Sequence, residues 1–313
     1  MAGMQKLRIG IIGSGALGLY FGIRLAVTGH AVSFLVRSGV EQVRDRGMRL
    51  ELADGRILTL PTPNIVKDVR EMGGLDWVLV ALKTTQNKVL EELLMDAVVE
   101  GTSILTLQNG IGNVEAIEAI CPESAVLAGL CQIGVNREAP GEVRSFVPDD
   151  GFVQIGQDVV SGKPDLRSEY ANIFEAAGIR TRVTASLGEA LWRKLMWNVP
   201  FNGLTVEAGG VGTDVICSNP EQRARARRLM EEIRLAAEAL GFPIERTYTD
   251  RLIEFTDKIG SYRASTVLDW LEGRPLEIEA IFRKPLERGE SSGVSMPELK
   301  RLTLALEAMT SGH

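Results

Sequence analysis

Gly13-Ser14-Gly15-Ala16-Leu17-Gly18 lies directly behind the apolar run Leu7 to Ile12 and ahead of a stretch with helical character. That order restricts the start of the chain to a strand, a tight turn and a helix. Gly13 permits the turn, Gly15 lets a backbone approach a pyrophosphate, and Gly18 lets the helix pack close on its strand. The helix N-terminus adds unpaired N–H groups and the positive end of its dipole. The spacing therefore predicts a dinucleotide site formed by Gly13, Ser14, Gly15, Ala16, Leu17 and Gly18. The same uncharged run, Ile9 to Ile23 behind Lys6 and Arg8, superficially resembles a signal peptide. Its five glycines, the lack of an A-x-A cleavage site and the roughly 18 apolar residues needed to span a bilayer argue against that, so the chain is expected to be cytoplasmic.

Short apolar runs recur through the first half: Leu7 to Ile12, Ala31 to Val36, Trp77 to Leu82, Ser103 to Leu107 and Ala125 to Leu130. Each is apolar on both faces, as buried parallel strands are, and helical stretches separate them. The expected fold is an α/β, Rossmann-type doubly wound sheet followed by an all-helical C-terminal domain. Between the two, Glu142 to Phe146, Phe152 to Ile155 and Arg180 to Val183 read as antiparallel or edge strands, with a helix over Pro164 to Ala177. Beyond Ser186 the pattern is helical. Asn219-Pro220 starts a helix that Gly241-Phe242-Pro243 stops, and others are expected at Thr249 to Lys258, from Ser265, after Pro275 and from Pro297. The boundary falls near residue 185, giving a dinucleotide-binding, Rossmann-type domain over 1–185 and a helical domain over 186–313.

Composition removes whole classes of chemistry. A net charge of -6 disfavours nucleic acid and anionic membranes as partners. Only two histidines occur, His30 in a predicted turn and His313 at the C-terminus, which excludes Ser-His-Asp triads and histidine-rich metal sites. Cys121, Cys131 and Cys217 form no C-x-x-C pair, so no zinc site or disulfide framework is expected. No Tyr-x-x-x-Lys pair exists either, which leaves Lys, Asp or Glu as proton donor for a reductase.

The second strand ends Leu35-Val36-Arg37-Ser38, where NAD-specific sites carry an acid for the ribose 2'-OH. Arg37 can instead pair with the 2'-phosphate of NADP, and Ser38 can donate to it. Lys83 and Asn109, at the carboxyl ends of later strands, are placed where doubly wound sheets bind ligands. The helical half opens on Leu191 to Asn202, in which Lys194, Asn198 and Asn202 recur every four residues and share one helix face. Trp192, Leu195, Trp197, Val199 and Phe201 surround them. Polar groups in so apolar a segment need partners, either a ligand or a hydrogen-bond network between domains. Pro200, which cannot donate to the Met196 carbonyl, is expected to kink or end the helix before Asn202.

Taken together, these motifs resemble the ketopantoate reductase (2-dehydropantoate 2-reductase) family along essentially the whole chain. The resemblance rests on Gly13 to Gly18, Leu82-Lys83, Gln108 to Gly112, Trp192 to Asn202, and Ser265 and Glu277 in their segments. It implies NADPH-dependent reduction of ketopantoate to (R)-pantoate in pantothenate and coenzyme A biosynthesis. It further implies Lys194 and Glu277 as catalytic residues, with Asn198, Asn202, Ser265, Lys83 and Asn109 on the 2-keto acid in a cleft between domains. Arg37, Lys83 and Asn109 join the glycines on the cofactor. Glu279 competes with Glu277, since Gly273-Arg274-Pro275 loosens the register there. A homodimer stays open. The alternatives are a reductase of another branched 2-keto acid, a β-hydroxyacid dehydrogenase, which shares the Lys-x-x-x-Asn pair, and a non-enzymatic dinucleotide sensor.

Overall fold

The computed structural model describes residues 6–147, 151–158 and 162–310; His313 lies outside the described residues. Contacts divide the chain into two units, Met1–Gln108 with Asn113–Leu187, and Asn109–Gly112 with Gly188–His313. The division near residue 187 is accompanied by one feature that linear reading does not supply. The four residues around Asn109 belong with the helices, although they follow a strand of the sheet.

In the first unit the order is β1 (Arg8–Ile12), α1 (Ala16–Val27), β2 (Ala31–Leu35), α2 (Val40–Arg46), β3 (Met48–Glu51), β4 (Ile57–Leu60), β5 (Asn64–Val66) and β6 (Trp77–Val80). There follow α3 (Leu90–Ala97), β7 (Ser103–Thr106), α4 (Asn113–Ile120), β8 (Val126–Gln132), β9 (Val135–Ala139), β10 (Glu142–Ser145), β11 (Phe152–Gly156), α5 (Arg167–Ala176) and β12 (Thr181–Val183). Eight strands form one sheet in the order β12-β11-β8-β7-β6-β1-β2-β5. Neighbours from β5 to β8 run parallel, and β11 is antiparallel to β8. This is the expected Rossmann-type order, reversing at β1. The runs apolar on both faces explain it: every residue of β6 and β7 is buried, as a strand covered on both sides requires.

A second sheet, β4-β3-β10-β9, was not anticipated as a unit. It joins β3 in parallel to β10, far along the chain. His30 is buried in the turn before β2, with 6% exposure. Its Nδ1 accepts the Leu7 N–H at 3.3 Å, and burial holds the imidazole below the usual histidine range.

The second unit is helical: α6 (Leu187–Glu207), α7 (Thr213–Ser218), α8 (Pro220–Ala239), α9 (Thr247–Ile259), α10 (Ser265–Leu271), α11 (Lys284–Ser291) and α12 (Pro297–Thr310). Asn219 caps α8 as expected, its side-chain oxygen accepting from the N–H groups of Glu221 and Gln222. Of the expected kink or end at Pro200, the end does not occur: α6 continues through it to Glu207. Met196, Val199, Phe201, Leu204 and Val206 are all fully buried around it. Burying each such side chain contributes about 1.5–3 kcal/mol, which together outweighs the roughly 3 kcal/mol cost of one internal proline. Among the described residues no helix is long and apolar enough to cross a membrane.

Candidate functional site

In the first unit the glycine turn has three distinct environments. Gly13 has φ 106°, and a Cβ there would stand 2.5 Å from the Leu82 nitrogen. At Gly18 a Cβ would meet the Gly13 carbonyl oxygen at 1.9 Å, so the close approach of α1 to the turn depends on glycine. Gly15 is the opposite case, since a Cβ there meets nothing within 4 Å. It heads α1 with no side-chain cap and no acidic residue in the first turn. The helix therefore presents N–H groups and open space together, which fits the pyrophosphate of a dinucleotide. Ser14 serves this arrangement indirectly, its hydroxyl donating to the Leu35 carbonyl at 2.8 Å and tying the turn to the end of β2.

Arg37 and Ser38 follow β2 and are exposed, and among the described residues no acid pairs with the Arg37 guanidinium. Lys83 is half-buried beyond β6, where its residue caps a short 3₁₀ turn, Thr84–Val89. Sequence reasoning missed the amide network beside it. Gln108 Nε2 donates to Asn87 Oδ1 at 2.7 Å, and Asn87 Nδ2 reaches Asn113 Oδ1 at 3.5 Å. Nothing in the local pattern marks Asn87, because its partners are distant in the chain.

The second unit assembles a charged cluster around Asn109. Lys194 Nζ, on α6, donates to Asn109 Oδ1 at 2.9 Å, while Asn109 Nδ2 donates to Glu277 Oε2 at 3.4 Å. The cation on one side and the carboxylate on the other fix which way the amide faces. Glu277 is only 4% exposed, whereas the Glu279 side chain is 60% exposed and lies 3.6 Å from Arg283. Of the two competing acids, the structure brings Glu277 to the cluster.

Asn198 and Asn202 lie one and two turns beyond Lys194 on α6, with 7% and 4% exposure. Among the described residues neither side-chain amide has a hydrogen-bond partner, and neither is among the fully enclosed unpartnered atoms. Buried amides in that condition are suited to a ligand. Ser265 opens α10 and is exposed, with no hydrogen bond to the cluster. Ala280 holds the Asn109 loop: its carbonyl accepts the Ile111 N–H at 3.1 Å. Chemically, the cluster offers an ammonium with a proton to give, held by an amide, beside a buried carboxylate.

A glycine turn at a helix N-terminus in one unit, and in the other a lysine held by an amide beside a buried carboxylate, are features expected of the class of nicotinamide dinucleotide-dependent reductases. Comparison with known proteins narrows the class. Residues 9–158 match the family described as ketopantoate reductase PanE/ApbA, and residues 186–310 match its C-terminal domain. The chain belongs to the ketopantoate reductase family. It is 35% identical over 303 residues to a 2-dehydropantoate 2-reductase of Nostoc sp., covering 96% of this chain and 94% of that protein. The crystal structure of a 2-dehydropantoate 2-reductase from Geobacter metallireducens superposes with a TM-score of 0.89 at 39% identity, covering 96% of this chain and 99% of that one. D-mandelate dehydrogenase, in a ternary structure with NADH and anilino(oxo)acetate, shares the fold at 22% identity and a TM-score of 0.86, over 97% and 98% of the two chains.

Proposed function

We propose that this chain reduces 2-dehydropantoate (ketopantoate) to (R)-pantoate with NADPH, the reduction that serves pantothenate and coenzyme A biosynthesis. The observation that carries the reading is the 2.9 Å contact of Lys194 Nζ with Asn109, itself bonded to the buried Glu277. The Gly13 to Gly18 turn would hold NADPH, with Arg37 for its 2'-phosphate, and the cofactor would supply a hydride for the ketone carbon. Lys194 polarises the ketone oxygen and gives it a proton as the alcohol forms. Negative charge grows on that oxygen only as the reaction proceeds, so the ammonium stabilises the transition state more than the ground state. Asn109 restrains the ammonium, which limits the entropy lost in aiming it.

Asn198 and Asn202 bind the polar groups of the substrate, and Ser265 and Glu277 read its terminal hydroxyl. Lys83 serves the nicotinamide end of the cofactor. The test is NADPH oxidation by the purified protein with ketopantoate, 2-ketoisovalerate and pyruvate in turn. Ketopantoate should be preferred by at least about tenfold in kcat/KM, because a site built for a hydroxyl leaves its own groups unpaired when the hydroxyl is missing. Equal turnover of 2-ketoisovalerate would make the protein a general branched-keto-acid reductase.

A further inference from the structure

The loop that carries Asn109 is anchored two residues later, where Ile111 donates to the Ala280 carbonyl at 3.1 Å. The contact is close: Gly110 has φ 83°, and a Cβ there would stand 2.2 Å from the same oxygen. A carbonyl inside a continuous helical segment is ordinarily taken by the N–H four residues on. Glu279–Arg283 is instead a π turn, and the Lys284 N–H bonds the Glu279 carbonyl, five residues back. In that register the Ala280 carbonyl falls to residue 285. Residue 285 is a buried proline in the first turn of α11 and has no N–H to give. The π turn and the proline together leave Ala280 without a helical donor, and the Ile111 N–H takes the place.

We propose that Pro285 is a positioning residue for the reduction. By withholding a donor it reserves the Ala280 carbonyl for Ile111, and thereby holds Asn109 against Lys194 and Glu277. The proposal rests on the reading of Lys194 as the proton donor. It assigns to a proline remote from the ammonium in sequence a part in turnover that a helix-starting proline would not have.

Pro285→Ala tests it by restoring the missing N–H. A proline serving only to start a helix can give way to alanine with no loss of rate, because alanine is the better helix former. Here kcat should fall about five- to tenfold, the scale of one lost hydrogen bond, with the thermal midpoint not lowered. The NADPH Kd should rise by less than kcat falls, since the glycine turn and Arg37 carry most of that affinity and Asn109 a smaller share. On an Asn109→Ala background the same change should have no further effect on kcat, as both act through one contact. Gly110→Ala, which drives a methyl at the Ala280 oxygen, should lower kcat in the same way, with a loss of stability from the clash and its φ of 83°, and stands in if the first variant does not fold. Wild-type kcat in either variant, or losses that multiply with Asn109→Ala, would overturn the proposal alone. Wild-type kcat in Asn109→Ala and Lys194→Ala would overturn the reading of the site, and this proposal with it.

Discussion

Replacing Gly15 by alanine should separate cofactor binding from folding at the glycine turn. Gly15 has φ -82° and ψ -163°, a conformation open to any residue, and an added methyl meets nothing within 4 Å. Losing the freedom of glycine in the unfolded chain stabilises by about 0.4–1 kcal/mol, while alanine is the poorer N-cap by a comparable amount. The two offset, so the thermal midpoint should move by no more than a few degrees. The methyl does, however, occupy the space through which a pyrophosphate reaches the first-turn N–H groups. One charge-assisted hydrogen bond lost costs about 1.5–3 kcal/mol, which is roughly a ten- to 150-fold rise in Kd for NADPH. Gly18→Ala is the contrasting case. Its Cβ would stand 1.9 Å from the Gly13 oxygen, well inside van der Waals contact, so α1 has to shift and stability falls along with binding. Thermal unfolding and fluorescence titration with NADPH, run on both variants, decide the matter. A Gly15→Ala protein that binds NADPH as tightly as the wild type would show that no phosphate lies against this turn.

Arg37→Ala should weaken NADPH by about tenfold or more and leave NADH nearly untouched, because only NADPH carries the 2'-phosphate; equal losses in the two Kd values would refute the pairing. Lys194→Ala should lower kcat by on the order of 10²–10⁴ in a protein whose circular dichroism is unchanged, and Lys194→Arg should not restore it, since guanidinium holds its proton too firmly. Burial lowers the His30 pKa from its ordinary 6.5, so below that pH the unfolded chain binds more protons than the folded one. Stability associated with neutral His30 is therefore present above about pH 6.5 and lost as pH falls. In urea titrations His30→Asn, which can still accept from Leu7, should lose less stability than the wild type between about pH 7.5 and pH 5.5. Parallel curves would remove His30 from the acid sensitivity.

The parts of this fold legible in the sequence are those whose signal is local. β1, β2, β6, β7 and β8 carry apolar residues on both faces, and the α8 cap needs only the adjacent Asn219 and Pro220. β4 and β5 lack that signal. The residues of β4 are alternately exposed and half-buried, and β5 is three residues long, yet β5 closes the parallel edge of the large sheet. The pairing of β3 with β10 depends on contacts between distant segments, which no window on the chain displays. The site divides the same way. The four-residue spacing of Lys194, Asn198 and Asn202 survives because α6 is continuous. Glu277 and Glu279, two residues apart, look alike in sequence, and their separation into a buried and an exposed acid depends on how the chain enters the π turn at Glu279.

Proline marks the limit of local reading most sharply. Its missing N–H is a fixed covalent fact, but the consequence depends on what becomes of the carbonyl left without a donor. At Pro200 the helix continues regardless, because the side chains on either side are fully buried and stopping would expose them. At Pro285 the orphaned Ala280 carbonyl is not left over at all: the Ile111 N–H occupies it, and the Asn109 loop is fixed by that bond. The same chemical deficit is thus overridden by packing in one helix and used as a docking point in another. A sequence records the deficit, whereas the partner that answers it belongs to tertiary structure, and in this protein that partner leads to the residue that holds Lys194.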